Sequence, residues 1–296
     1  MFKNIYLPID NSDYSNTCID IGIDLAKRTG AYITASHVFA AKMHELRFKQ
    51  MESGLPEEYQ VENELEKQRD LHDQLIAKGM EVITESYLDV PQFKCKKQKI
   101  PFACKSLEGR NWVELVKDIN QSSYDLVIMG ILGLGATRES QIGTVAERVV
   151  RRIQTDTLLV KKVPNLHRGK TPKGNIIVAV DGSGHSFGGL KTGIRLAKLM
   201  DRPLEIISVL DPFAQYDIDY LTGILPNKTL KIWEYEHQEK LCKKMTELWL
   251  ALIGRAHLEI SQKIVKEEGF SARFAYLKEN FMKKSFNIPE KRIRIC

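Results

Sequence analysis

The sequence has no long apolar run, no paired-cysteine motif and no pattern of a secretory leader. No segment approaches the roughly 18 consecutive apolar residues that a membrane-spanning helix needs, so we expect no membrane span. The five cysteines are an odd, scattered set without CxxC spacing, which argues against a disulfide framework. The opening segment MFKNIYLPID begins with a strand pattern rather than the basic and apolar regions of a signal peptide. These absences predict a cytoplasmic globular protein.

The chain also lacks a motif for nucleic-acid binding, although it is basic. Its net charge is +6, and its densest positive clusters are Lys94–Lys99 and the C-terminal segment KKSFNIPEKRIR. Neither cluster carries the aromatic pattern of an RNA-binding sheet or the spacing of a zinc finger, so solvated surface charge is favoured. Cys95 and Cys104 flank the first cluster without a histidine nearby, which makes a poor zinc site. We therefore expect no nucleic-acid partner and assign no metal ligands.

The most informative feature that is present is an internal repeat. NIYLPIDNSDYS (residues 4–15) aligns with NIIVAVDGSGHS (residues 175–186) at an offset of 171, and the offset continues without a gap into the next apolar run. Such self-similarity indicates two copies of one domain. We predict a first domain over residues 1–162 and a second over residues 175–296, joined by a polar linker at residues 163–174.

Both copies open with a pattern typical of a parallel α/β fold. The short apolar runs IYLPI and IIVAV end in a turn containing aspartate, and an amphipathic helix and a second apolar run follow. This order is that of a βαβ unit whose strands are buried on both faces. The first copy continues to five strands that alternate with helices. The pattern predicts an open, doubly wound, five-stranded parallel sheet of the Rossmann-like class.

The middle of the first copy is assigned from helix-ending residues and strand propensity. Residues Glu57–Lys78 are predicted to form a charged helix that ends at Gly79, and MEVITESYL (Met80–Leu88) to form the third strand. Residues 89–107 exceed this scheme, and we interpret them as an insertion folded as a hairpin or an extra strand pair. The last helix of the copy is assigned to Thr144–Ile153.

The second copy is predicted to be truncated. Its third strand is assigned to GFSARFAYL (residues 269–277), as the counterpart of GMEVITESYL, and no glycine-rich loop follows. A long helical region over residues 230–268 carries an apolar stripe that is typical of a core or of a dimer contact. The stripe consists of Trp233, Leu241, Met245, Leu248 and Leu252. The missing strands would leave a sheet edge exposed, so we expect pairing with the first copy or with another subunit.

A glycine-rich segment, MGILGLGATRESQIGTVAERVV (Met129–Val150), follows a predicted strand of the first copy and precedes a helix. Ligands of open α/β sheets bind outside the carboxyl ends of the strands, and glycine lets backbone N–H groups approach a phosphate closely. The free N–H groups where the helix begins, at Gly143–Thr144, favour an anion. The segment is neither a Walker A loop nor a GxGxxG dinucleotide loop. Its spacing alone leaves a phosphate-binding loop and a mobile turn capped by Thr144 as equal alternatives.

The spacing Gly130-x2-Gly133-x9-Gly143-Thr144 resembles the ATP-binding signature of the universal stress protein family. The segments YLPIDNSDYS and IVAVDGSGHS, and the strand end SHVF, are also similar to that family. The resemblance covers the first copy apart from residues 89–107 and about half of the second. It implies an adenine-nucleotide-binding fold, like that of the adenine nucleotide alpha hydrolases, in a tandem arrangement with an incomplete second domain.

The resemblance also implies which residues would contact the base and the ribose. Asp10 would contact the adenine or the ribose, with Pro8 nearby, although a turn or helix-capping role remains an alternative for this aspartate. Val38 would offer backbone groups to the adenine edge. Met129 and Gly130 would lie beside the ribose and the phosphates.

The phosphates would be held, by the same resemblance, by Gly133, Gly143, Thr144 and Val145. Many family members carry a basic residue just before the second glycine, whereas this chain has Leu132. The loss of a cation would weaken binding of a triphosphate, so AMP and ADP are alternatives to ATP, and Mg²⁺ is an accompanying ion. The second copy has no such loop and is expected not to hold a nucleotide alone.

The implied function is regulatory binding of an adenine nucleotide in a stress response, with little or no catalysis and no assigned catalytic residue. A slow ATP hydrolase is one alternative, for which Asp13 and Glu139 are candidates by position only. An interaction module with a vestigial nucleotide pocket is another. His37 lies inside a strand pattern and is interpreted as a packed side chain, and Arg138 could supply charge to the loop. A homodimer through the final strand DTLLV, or pairing of the two copies, is expected.

Overall fold

The computed structural model describes residues 1–135, 141–161, 174–210, 235–278 and 293–294. The chain separates into two compact units, which we call unit 1 (Met1–Thr171) and unit 2 (Pro172–Cys296). Most of the predicted linker at residues 163–174 lies outside the described residues. No helix within the described ranges is long and apolar enough to cross a membrane. Each unit contains its own sheet.

Unit 1 is built from five strands that alternate with helices. Its strands are β1 (Asn4–Pro8), β2 (Tyr32–Phe39), β3 (Phe102–Glu108), β4 (Leu126–Gly130) and β5 (Asp156–Val160). Its helices are α1 (Asp13–Thr29), α2 (Ala41–Met51), α3 (Glu62–Lys97), α4 (Asn111–Gln121) and α5 (Thr144–Val150). The sheet order is β3-β2-β1-β4-β5, and all neighbours are parallel. This confirms the predicted doubly wound fold and puts the expected binding crevice at the carboxyl ends of β1 and β4, where the strand order reverses.

β1 lies at the centre of this sheet. It pairs with β2 on one side and with β4 on the other, where Ile5 is in register with Leu126. At its amino end, the Asp125 carboxylate accepts hydrogen bonds from the backbone N–H groups of Lys3 at 2.7 Å and Asn4 at 3.2 Å. The strand is therefore held by two strand neighbours and by the segment that leads into β4.

Apolar side chains cover both faces of the sheet. On the face covered by α4 and α5, the buried cluster consists of Tyr6, Val38, Leu115, Ile119, Val127, Met129, Ala146 and Val149. On the other face, the fully buried Leu7 of β1 lies against Gly22 of α1. Burial on both faces explains why the runs IYLPI and LVIM are almost continuously apolar.

The prediction of a strand at MEVITESYL is wrong. A 3₁₀ turn at Glu57–Tyr59 precedes α3, which then runs through Gly79 to Lys97. The buried residues of α3 recur at intervals of four, three and four, which is the period of one helix face. They are Thr84, Leu88, Pro91 and Cys95. A Cβ on Gly79 would meet no atom within 4 Å, so no close contact requires glycine here. Gly79 lowers the stability of the helix through its low helix propensity but does not end it.

The predicted insertion at residues 89–107 is also wrong. Residues 89–97 are the last turns of α3, and β3 begins at Phe102. β3 pairs with β2 from Ile33↔Phe102 to Phe39↔Glu108 at the edge of the sheet. The segment therefore supplies the third strand of the sheet and not an additional hairpin. The last helix, α5, ends at Val150 and is shorter than predicted.

Unit 2 has the same order of elements as the start of unit 1. Its elements are β6 (Ile176–Ala179), α6 (Gly184–Met200), β7 (Leu204–Leu210), α7 (Tyr235–Glu267), β8 (Ala272–Lys278) and β9 (Ile293–Arg294). β6, β7 and β8 are parallel, whereas the short β9 is antiparallel to β8. Because β8 follows a long helix as β3 does, GFSARFAYL corresponds to the β3 segment. The predicted correspondence with GMEVITESYL is wrong.

The apolar stripe predicted over residues 230–268 is only partly described. Trp233 lies outside the described residues, whereas Leu248 and Leu252 of α7 are exposed. The core of unit 2 instead uses Leu258 and Val265 of the same helix. The core interpretation is therefore wrong for the two exposed leucines, and a dimer contact through them stays a prediction.

Both long helices end in the same backbone turn. After α3, Lys99 adopts a φ of 55°, and Ile100 N donates to Cys95 O at 3.0 Å. After α7, Gly269 adopts a φ of 60°, and Phe270 N donates to Val265 O at 3.1 Å. This is the Schellman motif, in which glycine is favoured because a Cβ is unfavourable at positive φ. Unit 1 places a lysine where unit 2 has a glycine.

Lys99→Gly is expected to stabilise unit 1 by about 0.5–1 kcal/mol. The relief of strain at positive φ exceeds the entropy that glycine adds to the unfolded chain. Urea unfolding measures the change, with Trp112 as the only tryptophan after Trp233→Phe and Trp249→Phe. Ala77→Gly, at an exposed position in the interior of α3, is the control and should destabilise by about 1 kcal/mol. A loss of stability in the Lys99 variant would contradict the prediction.

Candidate functional site

The carboxyl end of β1 continues into a hydrogen-bonded turn around Asp10. Its Oδ1 accepts from Ser12 N at 3.0 Å, and Ser12 caps α1 by accepting from Ser15 N at 3.2 Å. Its Oδ2 accepts from Leu134 N at 3.1 Å. The carboxylate therefore links the end of β1 to the glycine-rich loop after β4. Each oxygen keeps a further lone pair with which it can accept a hydrogen bond from a ligand.

Two glycines of the loop lie where a side chain would collide. A Cβ on Gly133 would lie 2.5 Å from Asp10 Oδ2. A Cβ on Gly143 would lie 3.2 Å from Ile131 O, the carbonyl oxygen to which Gly143 N donates at 2.8 Å. The loop thus folds back on itself and against the end of β1. A side chain at Gly133 would displace the Asp10 carboxylate, and one at Gly143 would be crowded, so close approach rather than a left-handed backbone favours glycine here.

Several predicted site residues have side chains in the core. Val38 and Met129 are buried in the cluster beneath α4 and α5, and Val145 packs against that cluster. Pro8, the last residue of β1, is also buried. Pro8, Val38 and Met129 can therefore reach a ligand only through their backbone groups, whereas the Val145 side chain is half-buried. Gly130, which ends β4, is half-buried beside the turn.

The start of α5 lies beside the loop. Gly143 occupies the N-cap position without a side-chain cap, and Thr144 is exposed. Leu132 is half-buried, and Arg138 and Glu139 lie outside the described residues. Within the described part of the chain, no group of three or more histidine, cysteine, aspartate or glutamate residues could hold a metal ion.

His37 packs against α3, as expected of a strand residue. Its Nδ1 lies 2.9 Å from Thr84 Oγ1, and its ring meets the Tyr87 ring edge-on with centroids 5.0 Å apart. Burial lowers the pKa of His37 below its ordinary value of 6.5, and the charge of Asp10 opposes this shift. The ring is therefore neutral at neutral pH and belongs to the packing between β2 and α3.

His37→Gln is expected to reduce the decrease in the free energy of unfolding that unit 1 shows as pH falls from neutral to mildly acidic values. The unfolded chain protonates His37 at a higher pH than the folded chain, so the wild type loses stability as pH falls below 6.5. This loss is absent from the variant. Urea unfolding at neutral and mildly acidic pH measures it, with His44→Gln as the control for removing a histidine from a helix surface. Parallel profiles for wild type and His37→Gln would contradict the assignment.

The sequence pattern left several contacts at this site unrecognised. Leu134 contributes only its N–H group. The Cβ atom of Tyr14 lies 2.7 Å from the position that a Cβ on Gly130 would occupy. A backbone N–H group is present in every residue except proline, so residue type does not indicate which distant segment it will contact. Thr84 and Tyr87 could have been found from the helical period of α3, which the strand interpretation obscured.

Unit 2 contains the same aspartate turn. Asp181 Oδ1 accepts from Ser183 N at 2.9 Å, and Ser183 caps α6. The hydroxyl and then the N–H of Ser183, followed by the hydroxyl of Ser186, lower the pKa of Asp181 to about 2. In the described part of unit 2, no glycine loop corresponds to the segment that donates to Asp10 in unit 1. Instead, a Cβ on Gly182 would collide with the His257 ring.

Comparison with known proteins identifies the family of this chain. The sequence model of the Universal stress protein family matches residues 1–161. A universal stress protein of Methanocaldococcus jannaschii is 27% identical over 169 residues, which cover 55% of this chain and 84% of that protein.

Solved structures of the same family also align with the chain. A universal stress protein from Archaeoglobus fulgidus aligns with a TM-score of 0.53 at 14% identity, covering 94% of this chain and 79% of that chain. A universal stress protein family protein from Arabidopsis thaliana, solved with AMP bound, aligns with a TM-score of 0.36 at 10% identity, covering 54% of this chain and 92% of that chain. The family match spans more than half of the residues, and the chain therefore belongs to the universal stress protein family.

Proposed function

We propose that unit 1 binds one adenine nucleotide at the carboxyl edge of its sheet and acts as a regulatory protein of the stress response, with little or no catalysis. The nucleotide is ATP, ADP or AMP, and Mg²⁺ accompanies the phosphates when more than one is present. The proposed contacts are Pro8, Asp10, Val38, Met129, Gly130, Gly133, Gly143, Thr144 and Val145.

The observation that carries this proposal is the hydrogen bond between Asp10 Oδ2 and Leu134 N, 3.1 Å long. It closes the turn after β1 onto the glycine-rich loop after β4, at the point where the strand order reverses. Open α/β sheets bind their ligands at this point. Membership of the universal stress protein family supports the same location.

The proposed contacts are of two kinds, those to the ribose and adenine and those to the phosphates. Asp10 accepts hydrogen bonds from ribose hydroxyl groups, because each carboxylate oxygen keeps a lone pair after bonding the backbone. β2 extends beyond its last pairing with β1, Pro8↔Ser36, which supports the proposed contact between the backbone of Val38 and the adenine edge. The glycines after β4 allow backbone N–H groups to surround the phosphates.

Binding without rapid turnover is proposed from the state of the nearby titratable groups. Asp10 is engaged by two backbone N–H groups, and His37 is neutral and bonded to Thr84. Asp10 is proposed to bind the ribose, and His37 packs between β2 and α3, so neither is assigned as a general base on a phosphate. Leu132 supplies no cation to the loop, which favours AMP or ADP over ATP.

The protein is further proposed to work in the cytoplasm as a homodimer. β5 is an edge strand that pairs only with β4 within the described sheet, and Leu158 on it is exposed. An apolar edge strand of this kind pairs readily with a second copy.

The test of nucleotide binding is the ligand content of the purified chain. Denaturation followed by chromatography should release about one adenine nucleotide per chain, or calorimetry with added ATP, ADP and AMP, with and without Mg²⁺, should give one site. Asp10→Asn should weaken binding about tenfold, because it loses a charged acceptor. Asp181→Asn changes the equivalent turn in unit 2 and serves as the matched control, with no effect expected. A chain that carries no nucleotide and binds none would overturn the proposal.

A further inference from the structure

Three arginines surround the indole ring of Trp112 in unit 1. Arg110 precedes α4, Trp112 lies in its first turn, Arg148 lies on α5, and Arg152 follows α5. Their guanidinium carbons lie 5.4, 5.5 and 4.9 Å from the ring centroid, respectively. We call these four residues the Arg–Trp cluster. Cation–π attraction to one ring holds the three charges close together.

The positive charge of this cluster is not balanced by neighbouring carboxylates. Among the described residues, no aspartate or glutamate forms an ion pair with any of its arginines. The adjacent Arg151 does pair with Glu147, at 3.0 Å, and Arg69 pairs with two glutamates. One N–H group of Arg152 donates to Arg148 O at 3.1 Å. The cluster therefore gathers three like charges on an accessible surface, since Arg110 and Arg152 are exposed.

We propose that the Arg–Trp cluster is a docking site for an acidic peptide segment of a partner protein. A guanidinium group matches a carboxylate with two parallel N–H donors. Each guanidinium lies within 5.5 Å of the ring centroid, so any two lie within twice that distance of each other. Acidic side chains two positions apart on an extended peptide are separated by about 7 Å, which lies within this limit. The inference does not depend on nucleotide binding.

The arrangement of the ring favours a peptide over other polyanions. All three guanidinium groups lie over the ring of Trp112, so its faces are not open for the base stacking by which single-stranded nucleic acid is held. The cluster also offers no protruding apolar side chain that could enter a lipid bilayer, as peripheral membrane binding requires. Carboxylates contacting the edges of the guanidinium groups need neither feature.

The probe for this site is a hexaglutamate peptide titrated into the full chain. Trp112 serves as the reporter after Trp233→Phe and Trp249→Phe, because carboxylates that draw the guanidinium groups from its ring change its fluorescence. Binding should saturate and weaken as salt is added. Arg152→Gln, which removes the nearest guanidinium, should weaken binding about tenfold. Circular dichroism confirms that the variant is folded.

Matched variants separate the cluster from general surface charge. Arg151→Gln removes the same charge one residue away and should change the affinity by no more than about twofold. Arg152→Lys keeps the charge but loses the planar fork, so its affinity should lie between those of wild type and Arg152→Gln. Equal weakening by Arg151→Gln and Arg152→Gln would overturn the site. So would a failure of hexaglutamate to bind at low ionic strength.

The remaining outcomes concern the binding of other polyanions to the same site. An oligouridylate or phosphatidylserine vesicles that bind more tightly than hexaglutamate, and lose affinity in Arg152→Gln, would overturn the peptide assignment in favour of RNA or a membrane surface. Weaker binding of both, with the same variant affecting hexaglutamate most, supports the peptide. Calorimetry on the chain with all tryptophans intact provides a second readout that does not rely on Trp112.

Discussion

Gly133→Ala is expected to remove most nucleotide binding while unit 1 stays folded. The new Cβ would lie 2.5 Å from Asp10 Oδ2, so the loop and the carboxylate must separate, and the hydrogen bond to Leu134 N is lost. A hydrogen bond to a charged group contributes about 1.5–3 kcal/mol, which corresponds to about a tenfold to hundredfold loss of affinity. Calorimetric titration with ADP and a thermal unfolding scan measure the two effects separately.

The control for this prediction lies in the same loop. A Cβ on Gly135 would meet no atom within 4 Å, so Gly135→Ala tests the general effect of stiffening the loop. Its affinity for ADP should remain close to that of the wild type. Equal losses in Gly135→Ala and Gly133→Ala would show that loop flexibility matters more than the contact with Asp10.

Leu7→Ala is expected to destabilise unit 1 by about 2–5 kcal/mol, the largest stability effect that we predict. Leu7 has no exposed surface, and removal of its side chain leaves a cavity between β1 and α1. Urea unfolding followed by Trp112 fluorescence measures the change. Ile177→Ala, at an exposed position on β6 of unit 2, should leave this transition unchanged.

A double-mutant cycle tests the packing at this position. A Cβ on Gly22 would lie 3.1 and 3.2 Å from the two Cδ atoms of Leu7, so Gly22→Ala is crowded in the wild type. The crowding disappears with Leu7→Ala, and the double variant should therefore be more stable than additivity predicts, by about 1 kcal/mol. Gly79→Ala, which meets no atom, should be additive with Leu7→Ala. Additivity at Gly22 would contradict the contact.

Most of the sheet could be predicted because its inner strands are buried on both faces and its strands alternate with helices. The apolar runs of β1, β2, β4 and β5 are short, rich in branched residues and separated by helices, and they fall where the sequence places them. The third strand was misplaced because local propensity and period conflict in residues 80–97. Branched residues in MEVITESYL suggest a strand, whereas the spacing of Thr84, Leu88, Pro91 and Cys95 is helical. Tertiary packing of that face against the sheet decides the outcome.

The glycine-rich loop was recognisable because close approach constrains residue type at Gly133 and Gly143. Its attachment to Asp10 could not be predicted, because the donor is a backbone N–H 124 residues away. The Arg–Trp cluster was also missed, since its members are ordinary surface residues until α4 and α5 pack together. The nucleotide contacts of the nine proposed residues remain predictions.

The central position of β1 has a consequence for synthesis on the ribosome. β1 is made first, yet its partner β4 and the Asp125 carboxylate that binds its amino end come more than 120 residues later. At roughly 5–20 residues per second, the nascent strand waits about 6–25 s with one backbone edge open. Only β2 can cover its other edge in the meantime. Chaperone dependence of unit 1 during translation should therefore end when β4 emerges, and not when the whole chain is complete.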